Sequence, residues 1–126
     1  MILLDTSVLV DAFTGARRSA PALRRAIERG ERVAVATLVL YEWWRGPRRS
    51  EELAAQDALW PAESAVAFGA AEAAKAAELY RAAKRARGRE IDLAIAACAI
   101  CSGAQLWTLN VDDFRGVSGL AVSRPA

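Results

Sequence analysis

The chain has 126 residues, of which 54% are hydrophobic, and this is enough to bury a core without disulfides or a structural metal. Its formal net charge is +2, from 17 basic and 15 acidic residues, and every base except Lys75 and Lys84 is arginine, which is mild support for an anionic partner. The absence of histidine excludes Ser-His-Asp and Cys-His catalytic sites as well as histidine-ligated zinc.

The N-terminal segment has neither the basic region nor the cleavage site of a signal peptide, and no apolar run is long enough to cross a membrane. No linker, repeat or low-complexity spacer divides the sequence. We therefore expect a single cytoplasmic domain over residues 1–126, with no membrane association.

Short strands and helices alternate along the chain. Apolar runs predict strands at 2–4, 33–36, 105–109 and 120–123, with a further candidate at 64–68. Periodicity and breakers predict helices at 7–13, 21–29, 37–44, 50–59, 70–87 and 92–101, and a turn or short helix at 112–114. This alternation predicts an α/β sandwich around a mostly parallel sheet.

Three carboxylates lie in segments that are otherwise apolar. Asp5 is embedded in ILLDTSVLV, Glu42 in TLVLYEWW and Asp92 in IDLAIAACAI. A lone buried carboxylate costs several kcal/mol of unfolding free energy, so it has to be paired, protonated or metal-bound. If the three meet, their repulsion requires a cation, and Mg²⁺ or Mn²⁺ suits a few carboxylates plus water. Asp5 directly follows the first strand, at the sheet edge where α/β proteins bind ligands.

Each of the three acids also has a plainer interpretation. Asp5 could cap the helix at 7–13, and Glu42 could pair with Arg45 three residues on. Asp92 could cap its own helix or pair with Arg89. Asp11 is interpreted as structural, as a helix-end residue or an arginine partner. By spacing alone, Asn110, Asp112 and Asp113 in WTLNVDDFRG are ordinary turn residues.

Four segments, taken in order, resemble those of PIN domains and specifically of VapC-type toxins: MILLDTSVLVDAF, LVLYEWWRGPRR, RGREIDLAIAACAICSGAQLWTLNVDDFRGV and GLAVSRP. The resemblance covers essentially the whole chain. It implies a PIN-like three-layer α/β/α sandwich with a parallel sheet of roughly four to five strands. It also implies an Mg²⁺-dependent endoribonuclease, with Mn²⁺ as a substitute, that forms a homodimer and assembles as a heterotetramer or larger with a small VapB-like antitoxin.

The resemblance also suggests roles for individual residues. Asp5, Glu42 and Asp92 match the conserved catalytic acids, with Asp5 and Asp92 as metal ligands. Many relatives carry an aspartate where Asn110 stands, so Asp113 becomes the better fourth acid and Asn110 a neutral water or substrate contact. Thr6 and Thr108 match supporting hydroxyl residues. The implied reaction uses water as the nucleophile and leaves a 5′-phosphate and a 3′-hydroxyl.

Several other features have competing interpretations. Arginines usually solvate a surface, but those near the glycine turns are candidates for RNA phosphates: Arg17, Arg18, Arg45, Arg48 and Arg49. Trp43 and Trp44 are adjacent on a helix, so both cannot face the core, and one is expected at a protein interface or stacked on an RNA base. Cys98 and Cys101 are interpreted as small buried hydrophobes, since no further metal ligands accompany them.

Two other classes of function compete with the nuclease. A receiver-like signalling module would share the α/β order and an acidic pocket, but it needs paired acids after the first strand and a lysine near the last. Lys75 and Lys84 both fall in the predicted long helix instead. An inactive PIN-like scaffold is disfavoured because the acids are retained.

Overall fold

A sheet of four parallel strands forms the centre of the computed structural model, which describes every residue from Met1 to Ala126. The strands are β1 (Ile2–Leu4), β2 (Val33–Val35), β3 (Gln105–Trp107) and β4 (Val122–Ser123), in the order β2-β1-β3-β4. Ile2 lies beside Val33 on one side and Gln105 on the other. All three residues of β1 are buried, as expected for a central strand that is covered on both faces.

Every predicted helix is present. They are α1 (Thr6–Phe13), α2 (Ala20–Glu28), α3 (Thr37–Arg45), α4 (Ser50–Leu59), α5 (Ala70–Ala82), α6 (Glu90–Cys101) and α7 (Val111–Phe114). The connections β1-to-β2 and β2-to-β3 cross the sheet in opposite directions, so right-handed crossovers place α2 and α6 on opposite faces. This confirms the predicted α/β/α sandwich. None of the helices has the length and hydropathy of a membrane span.

The candidate strand at 64–68 is wrong in its extent. Ala62–Ser64 forms a 3-10 turn, and only Val66 pairs with the sheet, through a single parallel bridge to Ala36. The Val66 amide donates to the Val35 carbonyl, and the Thr37 amide donates to the Val66 carbonyl, both at 2.9 Å. The chain thus touches the end of β2 for one residue before Gly69 turns it into α5.

The helix predicted at 70–87 ends early, at Ala82. Beyond it the chain is extended at Ala83, and Ala83 and Ala86 pack against the hydrophobic core. Burial of these two methyl groups replaces the last predicted helical turns. As a result, Lys84 and Arg85 lie on a loop between α5 and α6 rather than on a solvated helix face.

An aromatic group anchors α3 to the rest of the core. Trp43 is fully buried, and the Phe13 ring packs against it and against Trp60, with ring centroids 6.1 and 5.9 Å apart. Trp44 is 51% exposed, and its Nε1 donates to Gln56 Oε1 at 3.2 Å. The expectation that the two adjacent tryptophans cannot both face the core is confirmed.

The two tryptophans provide a matched test of this packing. Trp43→Ala should lower the free energy of unfolding by about 3–5 kcal/mol, because it opens a cavity in the core. Trp44→Ala removes a half-exposed ring and should cost roughly 1 kcal/mol or less. Urea unfolding followed by circular dichroism measures both values. Equal losses in the two variants would contradict the packing described for α3.

Candidate active site

Asp5 lies where β1 ends and α1 begins. Its backbone amide donates to the Trp107 carbonyl at 2.8 Å, which joins the ends of β1 and β3. Its carbonyl accepts from the amides of Val8 and Leu9, so the residue occupies the N-cap position of α1. The side chain makes no capping hydrogen bond. The cap interpretation therefore holds for the backbone of Asp5 and not for its carboxylate.

Two hydroxyl groups hold the Asp5 carboxylate instead. Ser7 Oγ and Thr108 Oγ1 both donate to Oδ2, at 2.9 and 2.7 Å, and the residue is only 5% exposed. The same hydroxyls accept from the backbone that follows β3, namely the amides of Leu109 and Asn110, each at 3.0 Å. Oδ1 accepts no hydrogen bond from the protein. The network therefore fixes the carboxylate and leaves one oxygen free for a ligand.

The role of Ser7 was not anticipated from the sequence. The available signal was the Asp-x-Ser spacing, because a serine two residues beyond an aspartate can reach its carboxylate. Its second partner, Leu109, lies 102 residues away. Only the pairing of β1 with β3 brings the two together.

Glu42 is held from two sides. The Thr6 hydroxyl donates to its Oε1 from the start of α1, and Arg45 Nη2 lies 3.4 Å from its Oε2. The pairing with Arg45 is the plainer interpretation stated above, and it is present. The contact with Thr6 is additional, and it brings Glu42 on α3 to the residue that follows Asp5.

Asp92, in the first turn of α6, has a clearly shifted pKa. Burial, together with the charges of Asp5, Glu42 and Asp113, raises the pKa of its carboxyl group to about 6, while Arg89 opposes this shift. No salt bridge joins Asp92 to Arg89. Because all three acids act on one group, the four carboxylates are electrostatic neighbours.

The last motif contains two adjacent acids with different surroundings. Asp112 Oδ1 lies 3.0 Å from Arg115 Nε, in an exposed ion pair. Asp113 has no such partner, and its charge acts on Asp92. Asn110 is exposed at the start of α7 and makes no capping hydrogen bond. Of the two acids, Asp113 is the one placed beside the other carboxylates.

These carboxylates do not form a closed cluster of metal ligands, because no three of them surround a common point in the protein alone. Open spacing is what mutual repulsion favours, and Mg²⁺ keeps several waters and needs only a few protein ligands. A free Asp5 oxygen and a carboxyl group whose pKa is raised by three acids make an oxygen donor set that fits a hard divalent cation.

The arginines expected to contact RNA differ in their surroundings. Arg48 donates from Nε to the Trp43 carbonyl at 3.0 Å and covers the Trp43 ring, while Arg49 pairs with Glu52 at 3.5 Å. Arg45 is shared between Glu42 and the Tyr41 ring. The remaining two, Arg17 and Arg18, are exposed and outside any ion pair.

Three residues were interpreted from the sequence as structural, namely Asp11, Cys98 and Cys101. Asp11 accepts from Ser19 Oγ at 2.6 Å, so it joins α1 to α2 through a serine rather than an arginine. Cys98 is buried, and burial raises the pKa of its thiol to about 11. Cys101 is exposed, so the expectation of burial was right for only one cysteine.

Comparison with known proteins identifies the family. The PIN domain family matches residues 2–120, which is nearly the whole chain. The chain belongs to the PIN domain family. Among curated relatives, Ribonuclease VapC19 of Mycobacterium tuberculosis, from strains CDC 1551 / Oshkosh and ATCC 25618 / H37Rv, is 37% identical over 121 residues. The alignment covers 90% of this chain and 92% of that protein.

Solved structures of PIN proteins share the fold. The chain is similar to VapBC2 from Rickettsia felis bound to promoter DNA, with a TM-score of 0.75, 20% identity and 98% of each chain covered. It is also similar to a toxin–antitoxin complex from Klebsiella pneumoniae, with a TM-score of 0.74, 25% identity and coverage of 100% and 98%. These likenesses confirm the fold, and the 37% identity to Ribonuclease VapC19 confirms the VapC-type resemblance seen in the sequence.

The raised pKa of Asp92 predicts how pH affects the stability of the metal-free protein. The folded protein binds this proton up to about pH 6, whereas the unfolded chain releases it near 3.8. The contribution of Asp92 to the free energy of unfolding therefore falls as the pH rises from 3.8 to about 6. Asp92→Asn should raise the melting temperature in EDTA at about pH 8, and the gain should vanish near pH 4. Asp57→Asn, on exposed α4 surface, is the control, and a destabilised Asp92→Asn would contradict the electrostatic assignment.

The hydroxyl network makes a separate prediction. Thr108→Val keeps the shape of a fully buried side chain but removes the donor to Asp5 and the acceptor for the Asn110 amide. The loss should be about 1–3 kcal/mol of unfolding free energy. Thr108→Ser keeps the hydroxyl and should lose less. Chemical denaturation measures both, and equal stability of the valine variant and the wild type would contradict the network.

Proposed function

We propose that this chain, as a single PIN domain over residues 1–126, is a metal-dependent endoribonuclease toxin of the VapC type. The observation that carries the proposal is that the charges of Asp5, Glu42 and Asp113 all act on the partly buried carboxylate of Asp92. It is supported by 37% identity to a ribonuclease across nearly the whole chain. The reaction is hydrolysis of an RNA phosphodiester bond by water, giving a 5′-phosphate and a 3′-hydroxyl.

The acids supply the ligands of a divalent ion, which we propose to be Mg²⁺, with Mn²⁺ as a substitute. Asp5 and Asp92 would hold the ion, and Glu42 and Asp113 would complete the donor set directly or through water. When bound, such an ion polarises a phosphoryl oxygen and lowers the pKa of an attacking water. The lack of histidine is compatible with this chemistry because no imidazole base is required.

The surrounding side chains prepare the acids for this role. Ser7 and Thr108 hold Oδ2 of Asp5, so the geometry of the free Oδ1 is set before any ligand arrives. Thr6 positions Glu42, where it can orient a water. Asn110 is exposed beside these groups and is suited to a neutral contact with water or substrate.

The proposed partners are RNA and a small VapB-like antitoxin that covers the acids. Structural neighbours from Rickettsia felis and Klebsiella pneumoniae are complexes of VapB with VapC or of a toxin with its antitoxin. We propose a homodimer, joined by antitoxin into a heterotetramer or larger assembly in the cytoplasm. Tyr41 and Trp44, which are 54% and 51% exposed on α3, suit such a protein interface.

The alternatives have weaker support. A receiver-like module would need a lysine at the acids, whereas Lys75 pairs with Glu78 on α5 at 3.1 Å. An inactive PIN-like scaffold would have no need for a carboxylate whose pKa is raised by three other acids, since that repulsion lowers stability.

The decisive experiment combines RNA cleavage with growth of a bacterium expressing the protein. Asp5→Asn and Asp92→Asn should lower the cleavage rate by at least about 100-fold and abolish growth arrest, and EDTA should stop the wild type. Asp11→Asn, a matched change on α1 outside the site, should keep both activities. Equal toxicity of all variants would reject the active-site assignment.

A further pair within this experiment separates the two acids of α7. Asp113→Asn should reduce cleavage, whereas Asp112→Asn loses only an exposed ion pair with Arg115 and should leave the rate within about threefold. A larger loss of cleavage in Asp112→Asn than in Asp113→Asn would instead make Asp112 the fourth acid.

A further inference from the structure

A groove beside the acidic site is lined by cations. It lies between the loop that follows α5, the start of α6 and the segment after α7, and its volume is about 530 Å³. Leu79 and Leu93 form part of its apolar floor. Its charged lining consists of cations alone: Lys84, Arg85, Arg89 and Arg115. The loop exists only because α5 ends at Ala82, before the basic residues.

Most of these cations are free. Lys84, Arg85 and Arg89 form no salt bridge, and only Arg115 is paired, with Asp112. Nη2 of Arg89 is buried and has no hydrogen-bond acceptor in the protein. A buried guanidinium N–H without an acceptor is unfavourable, and a phosphate oxygen is an acceptor of the matching charge and geometry.

The groove adjoins the carboxylates through two short stretches of chain. Arg89 is the N-cap residue of α6, three residues before Asp92, and its charge reaches that carboxylate. Arg115 follows Asp113 by two residues, directly after α7. A chain lying in the groove therefore continues onto the acids at the starts of α6 and α7.

We infer that this groove binds the phosphates of single-stranded RNA on one side of the bond to be cut, and so guides the strand onto the acids. The inference rests on the proposed ribonuclease function. The groove lies within the range of ligand-sized clefts, about 300–1,000 Å³, which admits a single strand and is too small for a duplex. The leucine floor faces riboses or bases, and the cations face the backbone.

This assignment adds phosphate contacts to those predicted from the sequence, among which Arg17 and Arg18 remain exposed and outside any ion pair. Arg48 and Arg49 are bound to protein groups, and Arg45 is paired with Glu42. Two of the groove cations, Lys84 and Arg85, come from the end of the helix predicted at 70–87. A protein partner with an acidic segment could use the same charges, so the test has to distinguish RNA from protein.

The test measures binding without cleavage. Fluorescence anisotropy of a labelled oligouridylate is titrated with the protein in EDTA over about 50–200 mM salt. The Lys84→Ala/Arg85→Ala variant should weaken binding and reduce the slope of log K against log salt by about 1.4, or 0.7 for each phosphate contact. Arg87→Ala, an exposed arginine of the same loop that does not line the groove, should leave the slope unchanged.

The outcomes separate this inference from the proposed function. An unchanged slope in the double variant would reject RNA binding by the groove and leave an acidic protein segment as its occupant. An equal fall in the slope of Arg87→Ala would also reject RNA binding by the groove. A reduced slope in the double variant alone supports the groove even if the wild type cleaves no RNA in Mg²⁺, in which case only the nuclease proposal fails. Lys84 and Arg85 are exposed, so both variants should melt at the wild-type temperature.

Discussion

The buried carboxylate of Asp5 is the constraint on which the site depends. It follows the central strand, and its burial is tolerable only because Ser7 and Thr108 both donate to it. Those hydroxyls also bind the backbone after β3, so one network sets the ends of β1 and β3 and the start of α1. Any shift in the pairing of β1 with β3 would break it. The register of β1 against β3 therefore sets the geometry of the site.

Around this anchor the fold concentrates like charges. Glu42 comes from α3, Asp92 from α6 and Asp113 from α7, and burial together with the charges of Asp5, Glu42 and Asp113 raises the pKa of Asp92 to about 6. A protein selected only for stability would disperse these charges. The core that opposes the repulsion is well formed, since α6 is buried almost throughout from Leu93 to Ala99. A divalent cation bound among these carboxylates would offset their repulsion.

Opposite charges are separated on the surface beside the site. The net charge of +2 conceals an acidic centre next to a groove whose charged lining consists of cations. This separation suits the proposed polyanionic substrate, because its phosphates could lie along the cations while one of them reached the acids. It depends on where α5 ends. Had the helix continued to residue 87, Lys84 and Arg85 would belong to it and would not lie on the loop that lines the groove.

The sequence by itself determined the order and type of the elements, because apolar runs and breakers act over a few residues. It also singled out Asp5, Glu42 and Asp92 as candidate site residues, since a lone carboxylate in an apolar stretch is unfavourable in any fold. Tertiary structure decided what depends on distant partners. Packing of Ala83 and Ala86 against the core ended α5 early. Val66 forms only a single bridge to the sheet, and the pairing of β1 with β3 brings Ser7 to Leu109. Spacing alone does not separate Asp113 from Asp112. The family resemblance favoured Asp113, and the structure adds that its charge acts on Asp92 whereas Asp112 pairs with Arg115.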